Sequence, residues 1–144
     1  MKIKSVKIEN LRSFKADTVP FGDYTCLVGP NGAGKSTVVC ALNIFFRESD
    51  NSSTDLSNLQ EEDFHNKNTA EPIRVTVTFH DLSPGAQEDF KDYFRQGELI
   101  VSAEATYDAK SKTATIKQYG QRKAMKAFAP FFEALGDRDR KSVV

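Results

Sequence analysis

The sequence predicts an α/β fold on a mixed β-sheet, with a β-hairpin in its second half. Three observations carry this. A short uncharged run of strand formers, Tyr24-Thr25-Cys26-Leu27-Val28, feeds into a glycine-rich loop and then an apolar helical stretch. Ile73, Val75, Val77 and Phe79 alternate with Arg74, Thr76, Thr78 and His80, the pattern of a half-buried strand. Leu99, Val101, Ala103, Ala105 and Tyr107 alternate again; polar residues 108–112 turn the chain, and residues 113–119 can return as the second arm of a hairpin.

Taken in order, residues 2–9 read as a strand whose apolar members, Ile3, Val6 and Ile8, alternate imperfectly. Residues 16–21 read as a second strand, closed by the turn Phe21-Gly22-Asp23. The uncharged run at 24–28 reads as a buried central strand. Residues 36–47 read as a helix that is apolar nearly all round, which predicts burial on every side. Residues 48–71 hold Asn51-Ser52-Ser53-Thr54 and an acidic cluster, and read as an exposed connection. Ser83 is a candidate N-cap with Pro84 at the first helical position. Ala86, Phe90, Tyr93 and Phe94 give that helix its apolar stripe, and Gly97 is expected to end it. Ala124, Ala127, Phe128, Phe131, Phe132 and Leu135 mark a last helix, kinked or split at Pro130. The expected organisation is one domain portion over residues 1–136 and a loose tail at 137–144.

The 144 residues suit one domain with a real core. Twenty basic and twenty acidic side chains cancel, which excludes a uniformly basic nucleic-acid coat or an acidic solvating tail. Charge is nonetheless patterned: basic at residues 1–15, acidic at 48–63 and basic again after 108. Solvated faces and a basic surface near DNA both account for this. Cys26 and Cys40 exclude a disulfide framework or a four-cysteine zinc site, and both are expected to be buried. His65 and His80 lack a ligand cluster around them. No apolar run is long enough to span a membrane. The N-terminus alternates lysine with apolar residues, unlike a secretory leader, so a cytoplasmic protein is expected.

The chemistry lies in Gly29-x-x-x-x-Gly34-Lys35-Ser36, a full match to the phosphate-binding P-loop pattern. Glycines let the backbone turn tightly and bring its N–H groups to phosphate oxygens. Lys35 is placed to reach the β- and γ-phosphates, and the Ser36 hydroxyl to ligate Mg²⁺. A helix opening here turns its positive end to the anion. ATP with Mg²⁺ is the expected ligand. Hydrolysis also requires a Walker B acid after an apolar strand. Asp81 after the strand at 75–79 and Glu104 after 99–103 are the candidates, but both strands alternate as half-solvated strands do.

Ile8-Glu9-Asn10-Leu11-Arg12-Ser13-Phe14 ahead of Gly29-Pro30-Asn31-Gly32-Ala33-Gly34-Lys35-Ser36-Thr37 resembles the opening of RecF/SMC-type ABC ATPases, with Leu11 in place of the more usual aromatic residue. Glu61-Glu62-Asp63-Phe64-His65-Asn66, followed by residues 72–82, is similar to the OLD (overcoming lysogenization defect) family. That likeness implies the N-terminal lobe of an ATP-dependent endonuclease, often one of phage defence, in which an ABC-type ATPase precedes a Toprim nuclease. It implies dimerisation or pairing with another ATPase subunit, and DNA contact through the parent protein. Signature motif, switch histidine and Toprim acids are not recognised here, so a truncated lobe is expected.

Carried over by position, Gly29, Asn31, Gly32, Ala33, Gly34, Lys35, Ser36 and Thr37 would form the ATP cradle, with Ser36 on Mg²⁺. Arg12 would contact nucleotide phosphates, or else tie two strands together. Asp63 would lie near Mg²⁺ or a partner subunit, or else cap a turn. Gln60 is a weak candidate for the glutamine of the class. Two other readings stand beside the endonuclease: a RecF/SMC-type repair ATPase lobe, and a non-catalytic protein that pairs with a full-length ATPase.

Overall fold

Alternating apolar residues build one long sheet. The computed structural model describes residues 1–30, 34–46 and 59–121. Strands β1 (Lys2–Leu11), β2 (Phe14–Pro20), β3 (Ile73–His80), β4 (Glu98–Asp108) and β5 (Thr113–Gln121) form a five-stranded sheet in the order β2-β1-β3-β4-β5. Helix α1 (Lys35–Phe46) crosses one face, and the short helix α2 (Pro84–Asp89) links β3 to β4.

Every pairing is antiparallel. The sheet of the described residues is therefore not mixed, as the sequence had predicted. The expected buried central strand, residues 24–28, is not a strand, and Tyr24 and Val28 are 88% and 83% exposed. A central strand needs hydrogen-bonding neighbours along both edges, and no described strand lies beside this segment. Cys26 is exposed with it, against expectation, whereas Cys40 is buried in α1.

The imperfect alternation of β1 has a structural cause. The β1–β3 register shifts between Ile3 and Ser5, a bulge at Lys4. One extra residue returns Val6 and Ile8 to the face that Ile3 occupies. There Val6 opposes Val77 and Ile8 opposes Val75, while Val101 and Ala103 oppose the same two residues from β4. The other face is polar. Thr76 and Ser102 share a hydrogen bond at 2.8 Å, and Arg74 Nε donates to Glu104 Oε1 at 2.8 Å.

Helix α1 lays Val38, Cys40, Ala41, Ile44 and Phe45 on the apolar face. Phe45 reaches Phe79, ring centroids 6.0 Å apart, and the Gln118 amide donates to the Phe45 carbonyl. Val39 and Phe46 are 51% and 54% exposed, so α1 is buried on one side and not all round. Among the described residues, the sheet is the one apolar layer this helix lies against.

The segment after α1 also departs from expectation. Leu59 and Phe64 are each 1% exposed, and short 3-10 turns at Glu61–Asp63 and His65–Lys67 bring the chain across the β1–β2 turn. Burial of two large apolar side chains outweighs the acidity that made the segment read as a free loop. Ser83 caps α2 as predicted, its Oγ accepting the Ala86 N–H at 3.3 Å. Gly97 does not end that helix. It stands at φ +79 beside Gln96 at φ +54, in the tight turn that Arg95 and Glu98 close with reciprocal backbone bonds. The predicted last helix and the tail beyond residue 136 lie outside the described residues. No helix among the described residues is long and apolar enough to cross a membrane.

Candidate functional site

The glycine-rich loop opens α1 at the end of the sheet where β1 turns into β2. Among its predicted cradle residues, Gly29, Gly34, Lys35, Ser36 and Thr37 are described, and Asn31, Gly32 and Ala33 lie outside the described residues. The first helical bond runs from the Val38 N–H to the Gly34 carbonyl at 3.0 Å. The N–H groups of Lys35, Ser36 and Thr37 therefore precede any acceptor within the helix and mark its positive end. The Lys35 ammonium donates back to the Gly29 carbonyl. Ser36 is exposed at the mouth of the loop, and Thr37 is buried beneath it.

Gly34 has φ +102, a conformation that side chains resist. A Cβ there would also lie 2.9 Å from Phe14 Cε2 and 3.5 Å from Ser13 Oγ. The β1–β2 turn thus forms a wall of the loop. Glycine is required at residue 34 for its backbone angle and for this approach.

Arg12 sits in that turn, between the paired residues Leu11 and Phe14, with φ +49. Its backbone N–H donates to the Asp63 carbonyl at 2.8 Å. Its guanidinium meets Asp63 Oδ1 through Nε at 3.1 Å and through Nη2 at 3.1 Å. Asp63 Oδ2 accepts the Gln60 N–H at 3.0 Å, so this carboxylate both caps a turn and anchors Arg12. Gln60 stands at the start of that turn. His65 Nδ1 lies 2.7 Å from the Arg12 carbonyl. A carbonyl can only accept, so Nδ1 carries the proton and Nε2 is left to accept from Asn66 Nδ2 at 3.3 Å. Asn10, 7% exposed, donates its amide to the carbonyls of Asn68 and Glu71, both at 2.9 Å.

Sequence reasoning named Arg12 and Asp63 separately and missed their pairing, along with the parts played by Asn10, Phe14 and His65. One signal was present. Asn is among the residue types that tolerate positive φ, and Asn10 (φ +59) and Asn66 (φ +51) both adopt it here.

The two candidate Walker B acids lie elsewhere. Glu104 is held by Arg74 on the sheet face opposite α1. Asp81 follows β3 at the Phe79 end of the sheet, where the 12-residue α1 finishes and not where it begins. Asp81 Oδ2 is 3.9 Å from Lys2 Nζ, which also donates to Asp23 Oδ1 at 2.8 Å. That hydrogen bond and the attraction of the paired charges hold the Asp23 carboxyl below, and the Lys2 ammonium above, their usual pKa values. Among the described residues, no three His, Cys, Asp or Glu side chains converge to hold a metal ion.

The sequence matches the model of the AAA ATPase domain over residues 1–132. It is 33% identical over 96 residues to the structural maintenance of chromosomes protein 1B of Mus musculus, covering 62% of this chain and 8% of that protein. It is 34% identical over 77 residues to the OLD nuclease of Thermus scotoductus, covering 54% of this chain and 14% of that protein. It is 51% identical over 43 residues to the DNA double-strand break repair Rad50 ATPase of Methanopyrus kandleri, covering 29% of this chain and 5% of that protein. The chain thus spans 14% or less of the length of these three relatives.

Proposed function

We propose, from the premise that this chain belongs to the AAA ATPase domain family, that it is the ATP-binding N-terminal lobe of a DNA-acting ATPase. One observation carries the reading. Gly34, Lys35 and Ser36 open the helix as a phosphate loop does, with Gly34 in a backbone conformation that few other residues adopt. The residues present suit Mg-ATP. The loop and first-turn N–H groups and the Lys35 ammonium answer the negative phosphates. Lys35 exchanges its Gly29 carbonyl for them. The exposed Ser36 hydroxyl is a hard oxygen donor for Mg²⁺. Arg12 adds positive charge from the adjoining turn, tempered by Asp63.

Bound Mg²⁺ would neutralise phosphate charge during transfer. Neither candidate Walker B acid faces the loop: Asp81 lies at the far end of the sheet, and Glu104 lies on the face opposite α1. The chain alone is therefore expected to bind ATP and turn it over slowly. Its parent would be an OLD-type ATP-dependent endonuclease, a reading supported by the Asp63-Phe64-His65 segment and by the likeness to the OLD nuclease. An SMC- or Rad50-type parent is favoured as much by the other similarities. In either case DNA and a second ATPase subunit would be partners of the parent.

The test is a titration of this chain with a fluorescent ATP analogue and Mg²⁺. Saturable binding, weakened about ten- to a hundredfold in Lys35→Ala by loss of a charge-assisted contact, is the expected result. No saturable binding by the unaltered chain would overturn the reading.

A further inference from the structure

We propose that Asp63 is a positioning residue for the phosphate loop, acting through Arg12 and the β1–β2 turn. This rests on the reading of residues 29–37 as a nucleotide loop.

The turn touches the loop on one side. The Phe14 ring lies where a side chain at residue 34 would stand, and the Ser13 hydroxyl is in contact distance beside it, so the position of the turn sets the position of Gly34. Lys35 and the first N–H groups of α1 follow directly from it. A displaced turn therefore displaces the anion-binding groups.

The turn is held on its other side by the segment at 59–68. Asp63 provides two of the anchors, its carbonyl to the Arg12 N–H and its carboxylate to the guanidinium. His65 takes the Arg12 carbonyl, and buried Phe64 forms a β-bridge with Leu11. Arg12 is thus fixed at its N–H and side chain by Asp63 and at its carbonyl by His65, while Phe64 between them holds Leu11.

Backbone strain is concentrated in the same place. Of the seven non-glycine residues with positive φ among the described residues, four lie in this unit: Asn10, Arg12, Asn66 and Lys67. Such angles persist where surrounding contacts over-determine them. Without the Asp63 carboxylate, Arg12 loses the ion pair that holds its side chain and the turn can relax from φ +49. Gly34 then loses a fixed wall. The arrangement makes the acidic segment a brace that pre-orders the loop before any nucleotide arrives.

The test compares the unaltered chain with Asp63→Asn, Asp63→Ala, Arg12→Ala and Asp63→Ala/Arg12→Ala. Two readouts are taken. Backbone hydrogen exchange at Val38, whose N–H donates to the Gly34 carbonyl, is measured without nucleotide, against β3 amides as a reference for global stability. Mg-ATP-analogue affinity is measured alongside. Asp63→Ala should speed exchange at the loop while β3 is unchanged, and weaken binding by about fivefold, as for a half-exposed ion pair. Asp63→Asn keeps the shape and should fall between the two. In the Arg12→Ala background, loss of Asp63 should add only what its cap on the Gln60 N–H contributes, well short of its effect in the unaltered chain. Unchanged loop exchange in Asp63→Ala, or additive effects in the double variant, would overturn the proposal. If the unaltered chain binds no nucleotide, the ATP reading fails, and the exchange measurement still decides whether the brace exists.

Discussion

The ring of Phe14 fills the space a side chain at residue 34 would need, 2.9 Å from an ideal Cβ on Gly34. Two residues twenty apart in sequence thereby form one wall of the glycine-rich loop. Gly34→Ala meets both this contact and a φ of +102. It should lower stability by about 1–3 kcal/mol and abolish saturable Mg-ATP-analogue binding. Phe14→Leu in the Gly34→Ala background removes ring atoms but not the φ penalty, so it should restore only part of the stability. Thermal or urea unfolding of the single and double variants measures this.

Ser36 tests the metal. Ser36→Ala leaves the helix and the Lys35 contact in place but removes the exposed hydroxyl. Analogue affinity in Mg²⁺ should fall about tenfold, while affinity in EDTA stays as in the unaltered chain. Parallel titrations with and without Mg²⁺ read the difference. An equal loss in both would assign Ser36 to phosphate rather than metal.

The two sides of α1 should respond differently. Ile44 is fully buried against the sheet, whereas Val39 is 51% exposed. Ile44→Ala should cost about 2–5 kcal/mol through lost apolar contacts and the cavity left behind. Val39→Ala should stay within about 0.5 kcal/mol of the unaltered chain. Denaturant unfolding of the pair measures how one-sided the burial of this helix is.

The Lys2–Asp23 pair should give a measurable titration. The hydrogen bond and charge of Lys2 lower the Asp23 pKa below 3.8, and those of Asp23 raise the Lys2 pKa above 10.5. The depressed carboxyl contributes stability present above its unfolded value and lost as pH falls through its folded value. The raised ammonium contributes below its unfolded value, and that share is lost as pH rises through its folded value. The pair is therefore intact across the neutral range and opens at both extremes. NMR titration of the Asp23 carboxyl should show a midpoint below the ordinary range, and Lys2→Ala should return it. Both side chains are exposed, so the effect on unfolding should be slight.

Much was legible where the signal is local. The alternation over residues 73–79 specified β3 because a strand repeats every two residues and one face is buried. Ser83 and Pro84 announced the start of α2 because a cap is decided within four residues. The glycine-rich loop was legible for the same reason, since backbone freedom at Gly34 and charge at Lys35 are properties of the residues themselves. Arg12 and Asp63 were both named, but fifty-one residues separate them, and nothing in either local pattern states that they meet.

Sequence by itself determined the strand alternation, the opening of α1 by a phosphate-type loop, and the residue types that suit Mg-ATP. Tertiary structure decided what those elements face. Residues 24–28 have the composition of a buried strand, yet burial depends on neighbours that the described sheet does not provide. Helix α1 is apolar nearly all round, yet among the described residues the sheet covers one side of it. Phe64 stands in an acidic run and is nonetheless buried, because the chain folds it under the β1–β2 turn. Propensity and pattern act over a few residues. Burial, pairing and the wall of the loop arise from contacts tens of residues apart, which exist only once the chain has closed on itself.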